Sequence, residues 1–448
     1  MPILFIGIIL VAVFLFIKKI RVISILIFFF FLTDGFQIIP NTIKGENSLM
    51  VYASIYMLLL SVISLFNKKK YQNKSVLYSL YIYLVFLLVI LGVNILVYHV
   101  PLSDIIQNGH QYALILSFFV FKQLDNDEIS EIKYIMFVIT LFFSFLFIIQ
   151  VFTGQRLLTG FIGGTIDLGI ISFKRCYSWP SQLLYFTFHA YFCNPFQGKA
   201  KTISIIILTT AFLLPMHRAF ILCFFVILIF GLYKTTKDKK QFIKYLGVII
   251  GVTLLISTFL IQRFASTSDS VGGITSLFKD IETFDYSLSS DQTMYYRMGH
   301  TIERFLFATS DIRYSVFGFG FWGDENPNAL EKVDFLIYGL DENFEQNIPF
   351  STTDIAWSLF FIRLGIIGTI LFLIFYFKLF GYFYKRIDSN KLAIVNVTLL
   401  LLLFATSITC IELITLHMYI FTFMDFCYIE NNNLANNNKL SDTPTPVT

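Results

Sequence analysis

The spacing of the apolar runs constrains this chain more than any other feature. Twelve or thirteen blocks of roughly 15 to 25 mostly apolar residues follow one another between polar breaks. An α-helix of that length crosses the hydrocarbon core of a bilayer. The blocks lie near 2–17, 21–34, 49–66, 76–98, 105–121, 133–152, 178–195, 202–215, 218–233, 243–261, 354–378, 392–410 and 413–428. Only Lys18, Lys19 and Arg21 separate the first two. The first lacks the basic start and small-residue cleavage site of a signal peptide. The expected fold class is an all-α integral membrane protein of about 12–13 transmembrane helices, with one large extracytoplasmic loop containing short helices. Residues 1–261 would hold helices 1–10 and 262–353 the large loop. Residues 354–428 would hold the C-terminal helices, and the Asn- and Pro-rich 429–448 a disordered cytoplasmic tail.

Composition narrows the function. Charged residues make up 14% of the chain, against about a quarter in soluble domains. A net charge of +4 is too small to imply nucleic acid. The five cysteines form no CxxC and the six histidines no HExxH or HxxxH, so neither a disulfide framework nor a metal site is expected. Asp125 and Asp127 form an Asp-x-Asp, but in a short interhelical loop with no α/β domain around it. No Walker A motif is present, so no ATP-driven transport is indicated.

Short loops rich in Lys and Arg mark the cytoplasmic side. Such clusters occur at 18–21, 68–74, 234–240 and 385–391. The segments 35–48, 99–104, 153–177, 216–217 and 262–353 then face outward, with the N-terminus outside and the C-terminus inside. The last of these carries six Lys/Arg against fourteen Asp/Glu.

Several outward positions combine charge with rings or glycine. On a helix over 294–306, His300 and Arg304 fall within about 60° of Arg297, opposite Met298, Ile302, Phe305 and Leu306. Two guanidinium forks on one face suit an anion with several oxygens, although a solvated face of a cap gives the same pattern. Lys174 and Arg175 precede Pro180, which fits the first turn of a span. They suit headgroup anchoring or anion binding alike. Arg218 lies at a tight outward hairpin, near hydrocarbon, where charge is costly. Asp354 opens a long span, as a helix cap or as an acid–base group. Arg363 lies roughly 13 Å deeper and needs an internal partner, for which Glu412 and Asp425 are candidates. The run "VFGFGFWG", 316–323, puts glycines and rings late in the outer loop.

Read together and in order, these residues resemble the O-antigen polymerase (Wzy-type) and O-antigen ligase superfamily. The resemblance is architectural over nearly the whole chain. Locally it rests on Arg175 before Pro180, Arg218 opening a span, and Arg297 followed by Gly318-Phe319-Gly320. Asp354 and Gly365-Ile366-Ile367-Gly368 complete it. Thr353-Asp354 stands where ligases often have His-Asn, a departure that favours a polymerase of O-antigen, capsule or exopolysaccharide repeat units. The resemblance implies a multi-pass protein of the bacterial cytoplasmic membrane, with oligosaccharides on undecaprenyl pyrophosphate as substrates. It also implies membrane lipids as surroundings, a flippase and a chain-length regulator of the same pathway as partners, and no cofactor.

Under that resemblance Arg175, Arg218, Arg297 and Arg304 bind pyrophosphate. Tyr295, Tyr296, Phe319, Phe321 and Trp322 offer surface to sugars, or serve as interfacial anchors. Either Asp354 or His300 takes the acceptor hydroxyl's proton in an inverting displacement. The alternatives are a ligase that passes glycan to a lipid or protein acceptor, and a flippase of lipid-linked oligosaccharide.

Overall fold

The computed structural model describes residues 2–40, 48–64, 73–159, 162–167, 172–176, 179–180, 182–215, 217–236, 238, 240, 242–243, 246–247, 251, 281–284, 293–340, 346–352 and 354–441. Most of the predicted span 243–261 and most of 262–292 therefore lie outside the described residues.

The described chain is mostly helical. In order it forms α1 (Pro2–Ile17), α2 (Arg21–Leu32), α3 (Met50–Ser64), α4 (Lys74–Leu96), α5 (Leu102–Gly109), α6 (Ser117–Phe121) and α7 (Asn126–Thr153). A hairpin of β1 (Ile162–Asp167) and β2 (Ser172–Cys176) follows, then α8 (Leu183–Phe192), α9 (Gly198–Leu213) and α10 (Arg218–Thr235). The long segment between α10 and the next apolar helix contributes α11 (Thr293–Ser310), α12 (Ile312–Phe317), α13 (Pro327–Leu330) and a hairpin of β3 (Gly339–Leu340) and β4 (Gln346–Ile348). The chain then runs through α14 (Ala356–Tyr384), α15 (Lys391–Ala405) and α16 (Ile420–Ser441).

Among the described residues four helices, α4, α7, α10 and α14, are long and apolar enough to cross a membrane, and α1, α2, α3 and α15 are shorter apolar helices. This is an architecture compatible with an all-α membrane protein. One apolar core of aliphatic and aromatic side chains runs from Phe5 to Ile429. Exposed Ile, Leu and Val side chains on α1, α4 and α14 give these helices an apolar outer surface, which is how a lipid-facing helix differs from a soluble one.

Three expectations are corrected. The block 105–121 is not one helix. It breaks into α5, a 3-10 stretch over His110–Leu116, and α6. Hydropathy reports apolar length and not helix continuity. Here the Phe321 ring packs at Gly109, and Asn108 donates to the carbonyls of Phe321 and Trp322 at 3.4 and 3.2 Å. Second, the tail continues α16 as far as Ser441, with only 442–448 outside the described residues. Its start is held by tertiary contacts. Glu430 accepts from the Tyr382 hydroxyl at 2.8 Å and from the Asn73 N–H at 3.1 Å, and Asn431 donates to the Leu124 carbonyl. Third, the segment 153–177 contains a β-hairpin, with Lys174 paired to Thr165 and Cys176 to Ile162.

A buried polar network ties the bundle together. Asp425 of α16 accepts from the ammonium of Lys133 on α7. It also accepts from the Tyr185 hydroxyl on α8 at 2.6 Å and the Asn396 amide on α15 at 2.7 Å. A buried carboxylate is tolerated when it is paired and its lone pairs are filled. Asp425 is therefore not the partner of Arg363.

Candidate functional site

The segment over α11–β4 and α14 build the site. α14 is interrupted at Gly365, whose φ of +67° and ψ of −173° are not helical. That interruption leaves the Ile362 carbonyl without its helical partner. The N–H groups of Phe319 and Gly320 supply replacements at 2.8 and 3.3 Å. Gly318 has φ +68°, and a Cβ there would lie 2.8 Å from the backbone of Arg363, Gly365 and Ile362. Only glycine allows so close a backbone approach. At Gly320 a Cβ would fall 2.2 Å from Asn94 Oδ1, the atom that accepts the Phe321 N–H at 2.8 Å.

"VFGFGFWG" is thus a plug seated between a broken α14, α4 and the broken 102–121 segment. Its rings serve the plug. Phe319, Phe321 and Trp322 are buried, with Phe319 packed on Phe307 and Phe350 and Phe321 on Tyr112. Tyr295 and Tyr296 are also buried, Tyr295 stacked on Phe284 and Tyr296 donating to the Tyr338 carbonyl at 2.8 Å. None of the five offers an open ring face, and their placement as sugar-binding surface is corrected to packing. The physical reason is that a short apolar run beside a membrane gains more from burial than from display.

Arg363 closes the plug from below. It donates to the carbonyls of Gly320 and Trp322 at 3.1 and 2.6 Å and to Asn108 Oδ1 at 3.3 Å, with the Asp324 carboxylate 3.9 Å away. The mid-helix charge is therefore satisfied by the plug and Asp324, and Glu412 is not its partner.

α11 turns its polar face inward. Arg304 is fully buried, pairs with Glu303, donates to the carbonyls of Ile337 and Pro349 at 2.9 and 2.7 Å, and lies 3.6 Å over the Phe335 ring. Glu303 also accepts the N–H groups of Leu336 and Ile337 at 2.6 and 3.1 Å. Burial raises the Glu303 carboxyl and lowers the Arg304 guanidinium from their ordinary values, and their mutual attraction opposes both shifts. Arg304 is thus a strut of the loop, and its placement at a pyrophosphate is corrected.

His300 is fully buried, with Nδ1 2.9 Å from the Ser358 hydroxyl of α14 and Nε2 without a partner. Burial, then the Arg304 charge, holds its imidazole well below the ordinary range and so neutral. It has no path to a substrate hydroxyl, and the catalytic role expected of it is corrected to a contact between α11 and α14.

Arg297 and Asp354 are different. Both are partly exposed, with side chains at 24% and 12%. Arg297 Nε and Nη2 each lie 2.8 Å from Asp354 Oδ2, and Oδ1 accepts the Thr352 hydroxyl at 3.0 Å. Asp354 sits just before α14, whose first N–H (Ala356) bonds the carbonyls of Ser407 and Cys410 at 3.3 and 3.2 Å. That contact brings the segment after α15 to the pair. Its Glu412 has a buried Oε2 without a hydrogen-bond partner. Burial, then Asp354, pushes the Glu412 carboxyl up to about 7. Sequence reading missed this neighbour because nothing in the run "TCIELI" places it beside Asp354, 58 residues earlier.

Arg218 is the first residue of α10 and is half-buried. Trp179 packs edge-on against both His217 and Phe220, at 5.3 and 5.2 Å, so the segment after β2 meets this turn. Arg175 lies in β2, and its side chain lies outside the described residues. Among the described residues no group of three or more His, Cys, Asp or Glu is placed to hold a metal. No family model matches the chain, and no curated protein matches it.

Proposed function

We propose that the chain is a metal-independent membrane glycosyltransferase joining undecaprenyl-pyrophosphate-linked oligosaccharide repeat units on the outer face of the bacterial cytoplasmic membrane. The observation that supports it most is the Arg297–Asp354 pair. It is a partly exposed guanidinium and carboxylate at the start of a long apolar helix, beside a loop built rigidly around them.

In the reaction the acceptor's hydroxyl oxygen forms a bond to the donor's anomeric carbon. The bond from that carbon to the phosphate oxygen breaks, and the lipid pyrophosphate leaves with the electron pair. A diphosphate competes with Asp354 for the Arg297 fork, since carboxylate and phosphate each present a pair of oxygens to a guanidinium. As Arg297 turns to the leaving group and offsets its charge, Oδ2 of Asp354 is released to accept the hydroxyl proton. Arg218, with Arg175, would hold the second phosphate.

The test is the lipid-linked glycan profile of a strain lacking the protein. Single repeat units trapped on the outer face support polymerisation. Full-length ungrafted chains mean a ligase, and units trapped on the inner face mean a flippase.

A further inference from the structure

A cavity of about 300 Å³ lies between the broken 102–121 segment, the turn before α3 and the turn before α14. Gln107, Asn108, Gln111, Tyr112, Thr352 and Arg363 are among the residues lining it. The volume is at the small end for ligand pockets, about 300–1,000 Å³, and suits a sugar ring or two.

The chemistry of the walls favours a neutral, hydroxyl-rich ligand over an anion. Arg363, the guanidinium in the wall, already donates to two carbonyls and to Asn108 and has Asp324 nearby. What remains to a ligand is carboxamides, hydroxyls and the imidazole of His110, whose Nδ1 lies 2.9 and 3.0 Å from the Ile106 and Gln107 carbonyls. Tyr112 is 6% exposed, and its hydroxyl has no hydrogen-bond partner. That hydroxyl is sealed from the cavity, so Tyr112 offers a ligand the part of its side chain that lines the wall. The cavity also reaches the reacting pair, because Thr352 lines it and donates to Asp354 Oδ1 at 3.0 Å.

We propose that this cavity seats the terminal sugar of the acceptor glycan, with Gln107, Gln111 and Tyr112 contacting the ring and Thr352 marking the side that faces Asp354. The proposal rests on the glycosyl-transfer reading above and adds to it the site of acceptor recognition.

The test uses full-length protein in nanodiscs with p-benzoylphenylalanine placed at Gln111 or, as control, at Thr309, which is exposed on α11. The probe is sugar-radiolabelled, lipid-linked single repeat units. Thermal unfolding of each variant, matched to the unmodified protein, certifies its fold. Labelling at Gln111 but not at Thr309, competed by glycan freed from lipid, is the expected result. Labelling competed by undecaprenyl pyrophosphate but not by freed glycan assigns the cavity to the lipid carrier and overturns the proposal. No labelling at Gln111 while the unmodified protein makes ladders also overturns it and leaves the function reading standing. Gln107→Ala should raise the acceptor concentration for half-maximal rate several-fold with the maximal rate kept. An unchanged value argues against the site. If the deletion strain makes normal ladders yet Gln111 is labelled, the cavity binds glycan and the polymerase reading alone fails.

Discussion

Arg297→Ala tests the reacting pair most directly. In the folded chain its guanidinium gives Asp354 Oδ2 two contacts of 2.8 Å. Removing one partner of a fully buried pair costs about 3–5 kcal/mol. The two side chains are 24% and 12% exposed, so solvent takes up part of that cost. We expect a stability loss of about 2 kcal/mol. On the chemical side, losing a donor to a developing oxyanion costs about 3 kcal/mol, a rate factor of roughly 10². The two effects separate in a double-mutant cycle. Asp354→Ala alone leaves an unpaired guanidinium, and Arg297→Ala/Asp354→Ala leaves neither charge. Stability of the double variant, read by thermal unfolding in nanodiscs, should recover toward wild type. Its ladder formation from lipid-linked repeat units should stay at least about 100-fold down. Arg297→Lys keeps the charge but loses the fork, and should fall between. Arg313→Ala, on the exposed Asp311 pair of the same loop, should leave ladders unchanged. A double variant that regains both stability and normal ladders would make the pair a structural clamp and refute the chemistry assigned to it.

Other outcomes follow from the same geometry. Gly318→Ala places a Cβ 2.8 Å from α14's backbone at φ +68°, so the purified protein should melt lower and expression should fall, with Gly381→Ala, where nothing lies within 4 Å, as control. Glu303→Ala strands the buried Arg304 and should destabilise by about 3–5 kcal/mol, measured by denaturant unfolding. Glu412, raised to about 7 in the fold, keeps its proton where the unfolded chain has lost it. Its contribution to stability is present below about 4.5 and is lost as pH rises through about 7. Glu412→Gln should therefore gain melting temperature relative to wild type at pH 8 and not at pH 4, in buffers matched for salt. Ladder synthesis should persist in chelator; loss restored by magnesium or manganese would return Asp125 and Asp127 to consideration.

The sequence alone determined that the chain is a stack of apolar helices and that its charges lie between them. Membrane-length hydrophobicity is a local property, summed over neighbours in the chain, and α4, α7, α10 and α14 follow from it. The pairing of Arg297 with Asp354 was half legible. Both stood out as charges beside a membrane boundary, but a separation of 57 residues hid that they meet. Helical periodicity correctly put Arg297, His300 and Arg304 on nearby sides of α11, yet periodicity fixes only relative directions. Packing decided that the shared side faces α14 and the β3–β4 hairpin, which buries two of the three and leaves Arg297 at the edge. The same holds for "VFGFGFWG". Its rings read as sugar-facing surface or interfacial anchors, and only the fold supplied the broken α14 and the opened 102–121 segment that bury them. Breaks in apolar helices leave no trace in hydropathy, because the freed backbone groups are satisfied from elsewhere in the chain, as the N–H groups of Phe319 and Gly320 satisfy the Ile362 carbonyl.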